Sequence, residues 1–94
     1  DIDLVITGEG KIDRQTIAGK TPIGVAKVAK EKNIPVIGIA GTIGSEAEKV
    51  YDHGIDVLFS IIDSPITLDK AINRTSDLLI STGENIGRFI NINF

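Results

Sequence analysis

Hydrophobic residues fall along this chain in two rhythms. Three short runs are almost continuously apolar and rich in β-branched residues: Asp3 to Thr7, Pro35 to Ala40 and Val57 to Ile62. Strands buried on both faces carry this unbroken pattern, as in parallel sheets flanked by helices. Elsewhere the apolar positions recur every three or four residues. Ile23, Ala26 and Val28-Ala29 form one such series; Leu68, Ile72, Thr75, Leu79, Thr82, Ile86 and Phe89-Ile90 form another. That spacing puts one apolar stripe on a helix.

Punctuation residues set the boundaries. Thr21 can cap the first helix, with Pro22 at the first helical position, where a missing N–H costs nothing. Asn33 precedes Ile34-Pro35, and a residue before proline avoids α geometry, so the helix should stop there. Ser45 with Glu48 three residues on has the capping-box spacing and predicts a second helix, closed by Gly54 after His53. A third helix is expected from about Thr67 to Phe89. Gly83 inside it costs roughly 1 kcal/mol against alanine and marks either close packing or a weak point.

The order strand–helix, three times over, predicts an α/β fold: a parallel sheet with right-handed crossovers, flanked by helices in three layers. Three strands and three helices make half of a doubly wound domain. The chain also opens at Asp1, without Met, and enters a strand within three residues. We therefore expect residues 1–94 to be part of a larger enzyme, with no further domain boundary inside them. A sheet cut in this way leaves an open edge, which predicts self-association.

Composition narrows the partners. A net charge of −3 over 94 residues argues against a nucleic-acid surface, which needs a basic stripe. No apolar run approaches the ~20 residues of a membrane span, and no leader opens the chain. Without Cys there is neither a disulfide framework nor a thiolate metal site, which fits a cytoplasmic protein. With His53 as the only histidine, no nucleophile–base constellation is legible.

The chemistry concentrates between Thr7 and Pro22, where the first apolar run empties into a segment read as a loop dense in Gly, carboxylates and hydroxyls. Ligands of open α/β sheets bind beyond the carboxyl ends of strands, where loops meet helix N-termini. Two familiar motifs fail here. Gly8-Glu9-Gly10 starts like G-x-G-x-x-G, but position 13 is Asp; Gly19-Lys20-Thr21 ends like a P-loop, but position 14 is Arg. What remains still suits phosphoryl transfer, which rests on positioning and charge stabilisation. Gly8, Gly10 and Gly19 permit close backbone approach to a phosphate. Glu9 and Asp13 are hard oxygen donors suited to Mg²⁺, and Asp13 is the better candidate base for a substrate hydroxyl. Lys20 can neutralise a phosphoryl group, and Gln15 and Thr16 can donate to its oxygens.

Thr7-Gly8-Glu9-Gly10, Asp13, Gln15-Thr16, Gly19-Lys20, Pro22 and Gly24-Val25-Ala26 together resemble the hallmark stretch of the bacterial glycerate kinases, T-G-E-G-x-x-D-x-Q-T-x-x-G-K-x-P-x-G-V-A, at every fixed position. The resemblance extends over essentially the whole chain but only about the last quarter of such an enzyme. It implies the C-terminal part of a Rossmann-like domain, with ATP, Mg²⁺ and D-glycerate bound in a cleft shared with a second domain, and 2-phosphoglycerate as product. On that reading the segment alone is inactive. Two other readings stand beside it: a non-catalytic Rossmann-like module that holds a nucleotide or phosphate, and a truncated remnant without activity. A pure phosphate cradle gains nothing from Glu9 and Asp13, which repel an anion unless a metal intervenes.

Outside this segment, Gly41-Thr42-Ile43-Gly44-Ser45 and Asp63-Ser64-Pro65 follow strands and sit at the ligand edge, where each also reads as an ordinary turn. His53 suits a helix C-terminus. Leu78-Leu79-Ile80 reads as core or interface, and nothing in Asn91-Ile92-Asn93-Phe94 decides its structure.

Overall fold

The computed structural model describes residues 2–18 and 21–93, arranged as two compact units, Asp1–Ser60 and Ile61–Phe94. In the first unit β1 (Val5–Ile12), α1 (Thr21–Glu31), β2 (Val36–Ile43) and β3 (Val57–Ser60) alternate with 3₁₀ segments at Arg14–Ala18 and Ala47–His53. The three strands are parallel in the order β1-β2-β3. Pairing runs from Val5 opposite Val36 to Ile12 opposite Ile43, and β3 joins with Val57 opposite Ile37. The parallel α/β architecture is therefore as the apolar rhythm predicts.

Small residues let the layers approach. Ala26 and Ala29 of α1 and Ala47 and Val50 of the second 3₁₀ segment pack with Val36 and Ala40 of β2, with Ile12 and with Ile55. Gly38 sits at the middle of β2, where a Cβ would lie 2.9 Å from Leu58 Cδ2 and 3.3 Å from Ile55 Cγ2.

The first two strands run further than the apolar runs suggest. Gly8 to Ile12 and Gly41 to Ile43, read from sequence as loop, belong to β1 and β2; Gly8 and Glu9 pair with Ile39 and Ala40, and Lys11 and Ile12 with Thr42 and Ile43. Glycine is a poor strand former by itself, but strand preference yields to the partner on offer. Here β2 supplies the partner for the extension of β1. The approach is close: a Cβ on Gly41 would lie 2.9 Å from the Gly10 carbonyl oxygen. At the other end, β3 stops at Ser60, two residues short of the expected limit.

Helix ends follow the sequence at one terminus and depart from it at another. α1 stops where expected, with Asn33 in the left-handed region (φ 57°). Ile34 N–H reaches the Ala29 carbonyl and Asn33 N–H reaches that of Lys30, at 3.0 and 3.1 Å, the paired bonds of a Schellman closure. The second helix is a 3₁₀ segment, and the capping box of Ser45 and Glu48 does not form. Glu46 takes its cap position in the left-handed region (φ 58°) with no side-chain cap bond. The Ser45 carbonyl instead accepts from Arg14 N–H. Gly54 closes the segment as predicted, at φ 100°.

In the second unit the long helix is divided into α2 (Leu68–Asn73) and α3 (Thr75–Asn93). Thr67 caps α2, its hydroxyl accepting from Lys70 N–H at 3.3 Å. Thr75 Oγ1 donates to the Ile72 carbonyl at 2.8 Å and to that of Ala71 at 3.2 Å. Hydroxyl bonding back to the preceding turn bends helices, and the break falls at Arg74, whose guanidinium pairs with Asp63 at 3.2 Å. Within α3, a Cβ on Gly83 would meet nothing within 4 Å, so that glycine is a weak point rather than a packing contact. Asn91 to Asn93 continue α3. No helix among the described residues is long and apolar enough to cross a membrane.

Candidate active site

The carboxyl end of β1, the 3₁₀ turn after it and the start of α1 enclose an open groove of about 290 Å³, lined by Glu9, Lys11, Asp13, Gln15, Thr16, Thr21 and Pro22. It lies where parallel sheets bind ligands, beyond a strand's carboxyl end. Glu9, Lys11 and Asp13 fall at alternate positions, the period of a strand, which the extension of β1 makes effective.

Asp13 is the pivot of the turn. Its Oδ1 accepts the N–H of Gln15 at 2.9 Å. Its own N–H donates to Thr16 Oγ1 at 3.0 Å, and its carbonyl accepts the N–H of Thr16, also at 3.0 Å. These reciprocal bonds fix where the carboxylate points. Oδ2 is left toward Lys11 Nζ, 3.7 Å away, with the Asp13 side chain 20% exposed. Thr16 is buried, so its hydroxyl serves the turn first.

Four of the candidates nominated from sequence line one groove: Glu9, Asp13, Gln15 and Thr16. Gly8 and Gly10 lie in β1 but do not line it. A Cβ on Gly8 would sit 3.6 Å from the Ile39 carbonyl oxygen, whereas one on Gly10 would meet nothing within 4 Å. The roles expected of Gly19 and Lys20 lie outside the described residues. Two groove residues were overlooked as chemistry. Lys11 occupies an unspecified position of the hallmark pattern, and only the alternation Glu9, Lys11, Asp13 signals it. Thr21, expected from sequence as a helix cap, also lines the groove. His53 and Asp63 do not line the groove.

Among the described residues no group of three or more His, Asp or Glu side chains gathers to hold a metal. Glu9 and Asp13 on one groove are a two-carboxylate, hard-oxygen set. That suits Mg²⁺, which keeps waters and takes phosphate oxygens to complete its shell.

The opposite, amino end of the sheet is built for stability. Asp56 Oδ2 accepts from both Lys30 Nζ and, at 2.8 Å, the N–H of Val36, while Asp56 N–H donates to the Val36 carbonyl at 2.9 Å. The Lys30 ammonium, aided by the Val36 amide, holds the Asp56 carboxyl below the usual carboxylate value despite some desolvation. This clamp joins α1, β2 and the entry to β3.

The chain matches the family model of the "Glycerate kinase family" over residues 1–91. This chain belongs to the glycerate kinase family. It is 51% identical over 92 residues to the glycerate kinase of Bacillus subtilis (strain 168), covering 98% of this chain and 24% of that one. It is also 51% identical over 86 residues to the glycerate 2-kinase of Escherichia coli (strain K12), covering 92% and 23%. A crystal structure from Salmonella typhimurium LT2, of a protein provisionally assigned as glycerate kinase 2, superposes with a TM-score of 0.66 at 47% identity, covering 98% of this chain and 23% of that one. The chain thus spans about a quarter of the length of these family members.

Proposed function

We propose that this chain contributes one wall of the active site of a glycerate kinase, an enzyme that uses ATP and Mg²⁺ to phosphorylate D-glycerate to 2-phosphoglycerate. One observation carries the reading. The described residues that form the groove include Glu9, Asp13, Gln15, Thr16 and Pro22, all fixed positions of the glycerate kinase hallmark. A stretch that was merely structural would have no reason to gather its polar members on one concave surface.

Asp13 is the base in this proposal. Its Oδ1 is engaged by Gln15 N–H, which leaves Oδ2 to accept the proton of the substrate hydroxyl as that oxygen attacks phosphorus. Glu9 and Asp13 would hold Mg²⁺, whose contribution when bound is to neutralise the phosphate oxygens. Gln15 donates to substrate oxygens, and Gly8, Gly10 and Gly19 belong to the backbone approach toward phosphate. Lys20 is assigned the phosphoryl charge, and Lys11 is the described cation best placed to share it.

The test is a phosphoryl-transfer assay on the full-length protein with D-glycerate, ATP and Mg²⁺, beside its Asp13→Asn variant. Activity that collapses in the variant supports the assignment. Turnover within a few-fold of the parent would remove Asp13 from the role of base. Mg-nucleotide binding without transfer to glycerate would leave instead the phosphate-binding module considered above.

A further inference from the structure

We propose that Gly44, through the turn Gly44-Ser45-Glu46, is a positioning residue that sets the attitude of the Asp13 carboxylate; the proposal rests on the reading of Asp13 as base. Nothing in the hallmark stretch includes this turn, which follows β2 some thirty residues later. The structure nevertheless ties it to the Asp13 turn by a ladder of contacts. Gly44 N–H donates to the Ile12 carbonyl at 2.7 Å, and Arg14 N–H donates to the Ser45 carbonyl at 3.0 Å. Those two bonds bracket Asp13 on either side. Glu46 adds an ion pair to Arg14 at 3.9 Å and is itself held by Lys49 at 3.2 Å.

The glycine is required by space, not by backbone angle. A Cβ at position 44 would stand 3.1 Å from Asp13 Cβ, 3.0 Å from Lys11 Cε and 3.7 Å from Asp13 Oδ2. The end of the Lys11 side chain can swing away. Asp13 cannot swing clear, because its N–H, carbonyl and Oδ1 are all committed to the turn, so it yields only by a small shift together with that turn. A methyl group at position 44 must therefore displace the carboxylate by a few tenths of an ångström. Reacting groups tolerate little misplacement, with a 1 Å error costing on the order of a hundred-fold in rate.

The experiment is a double-mutant cycle on the full-length enzyme, with kcat and KM measured for wild type, Gly44→Ala, Asp13→Asn and the double variant. We expect Gly44→Ala to lower kcat roughly ten-fold while KM for the nucleotide stays within about two-fold. The double variant should be no slower than Asp13→Asn alone, since a residue acting through Asp13 has no effect once that carboxylate is gone. A further drop of about ten-fold in the double variant would overturn the positioning role and leave Asp13 as base. Undiminished turnover in Asp13→Asn would overturn the base assignment, and the positioning role with it. If Gly44→Ala does not fold, amide hydrogen exchange on the unmodified full-length protein decides. The Arg14 amide should be protected by the Ser45 carbonyl, and exchange at the unprotected rate would overturn the brace.

Discussion

Asp13 and Thr16 cap each other: the Asp13 N–H donates to the Thr16 hydroxyl, and the Thr16 N–H donates back to the Asp13 carbonyl, both at 3.0 Å. The residue proposed as base is thus also a structural hinge-pin, and a careless substitution confounds the two roles. Asparagine separates them. It caps as well as aspartate but cannot accept a proton at neutral pH. Asp13→Asn should leave the unfolding midpoint almost unchanged while lowering kcat of the full-length enzyme by roughly 10²–10⁴-fold, the usual worth of a general base. Asp13→Ala should lose the same activity and also about 1 kcal/mol of stability. Denaturant unfolding alongside steady-state kinetics distinguishes the two variants.

The Asp56 clamp makes stability depend on pH in a definite direction. With its folded value depressed by Lys30, the unfolded chain binds more protons than the folded one between the usual carboxylate value of 3.8 and the lower folded value. Stability from this pair is therefore complete above that window and lost as pH falls through it. The pair is partly exposed, so solvent screening keeps the effect small. Acid titration of unfolding should show a shallower decline in Asp56→Asn than in the parent.

At Gly38 the core has no room for a methyl group. With Leu58 Cδ2 at 2.9 Å and Ile55 Cγ2 at 3.3 Å from the position of a Cβ, Gly38→Ala should destabilise the chain by about 1–3 kcal/mol, the usual cost of overpacking. A midpoint equal to or above the parent's in urea would show that the Leu58 and Ile55 side chains give way more easily than this spacing implies.

Gly83 predicts the reverse. Its surroundings are open and it lies inside α3, so Gly83→Ala should raise stability by as much as ~1 kcal/mol through helix propensity. Thermal unfolding of the 94-residue chain checks this directly.

The apolar rhythm predicted the parallel α/β class and the existence of all three strands, and punctuation residues predicted the stops at Asn33 and Gly54, because each has a local cause in the sequence. The extension of β1 through Gly8-Glu9-Gly10 was illegible for the opposite reason. Those residues are strand-like only because β2 lies alongside, with Ile39 opposite Gly8 and Ala40 opposite Glu9, far along the chain. The second helix misled similarly: Ser45 and Glu48 have capping-box spacing, but the Ser45 carbonyl is engaged by Arg14 and Glu46 adopts a left-handed conformation. The split at Arg74 depends on a threonine hydroxyl bonding backward, which periodicity does not register. For the site, residue types sufficed to nominate Glu9, Asp13, Gln15 and Thr16. They could not reveal Lys11 beside Asp13, nor Gly44 behind it, since both follow from strand geometry and from packing between segments distant in sequence.

That Glu9 and Lys11 stand on a hydrogen-bonded strand rather than a loop changes what ligand capture demands of the chain. A loop must surrender backbone freedom when it closes on a substrate, about 1–2 kcal/mol for each residue fixed. On this wall the backbone freedom of Glu9 and Lys11 is already lost when β1 pairs with β2, before any ligand arrives. Affinity gained here should consequently carry a smaller ordering penalty, and discrimination among ligands should rest on the fixed spacing of the groove's polar groups rather than on how well the chain can mould itself around each one.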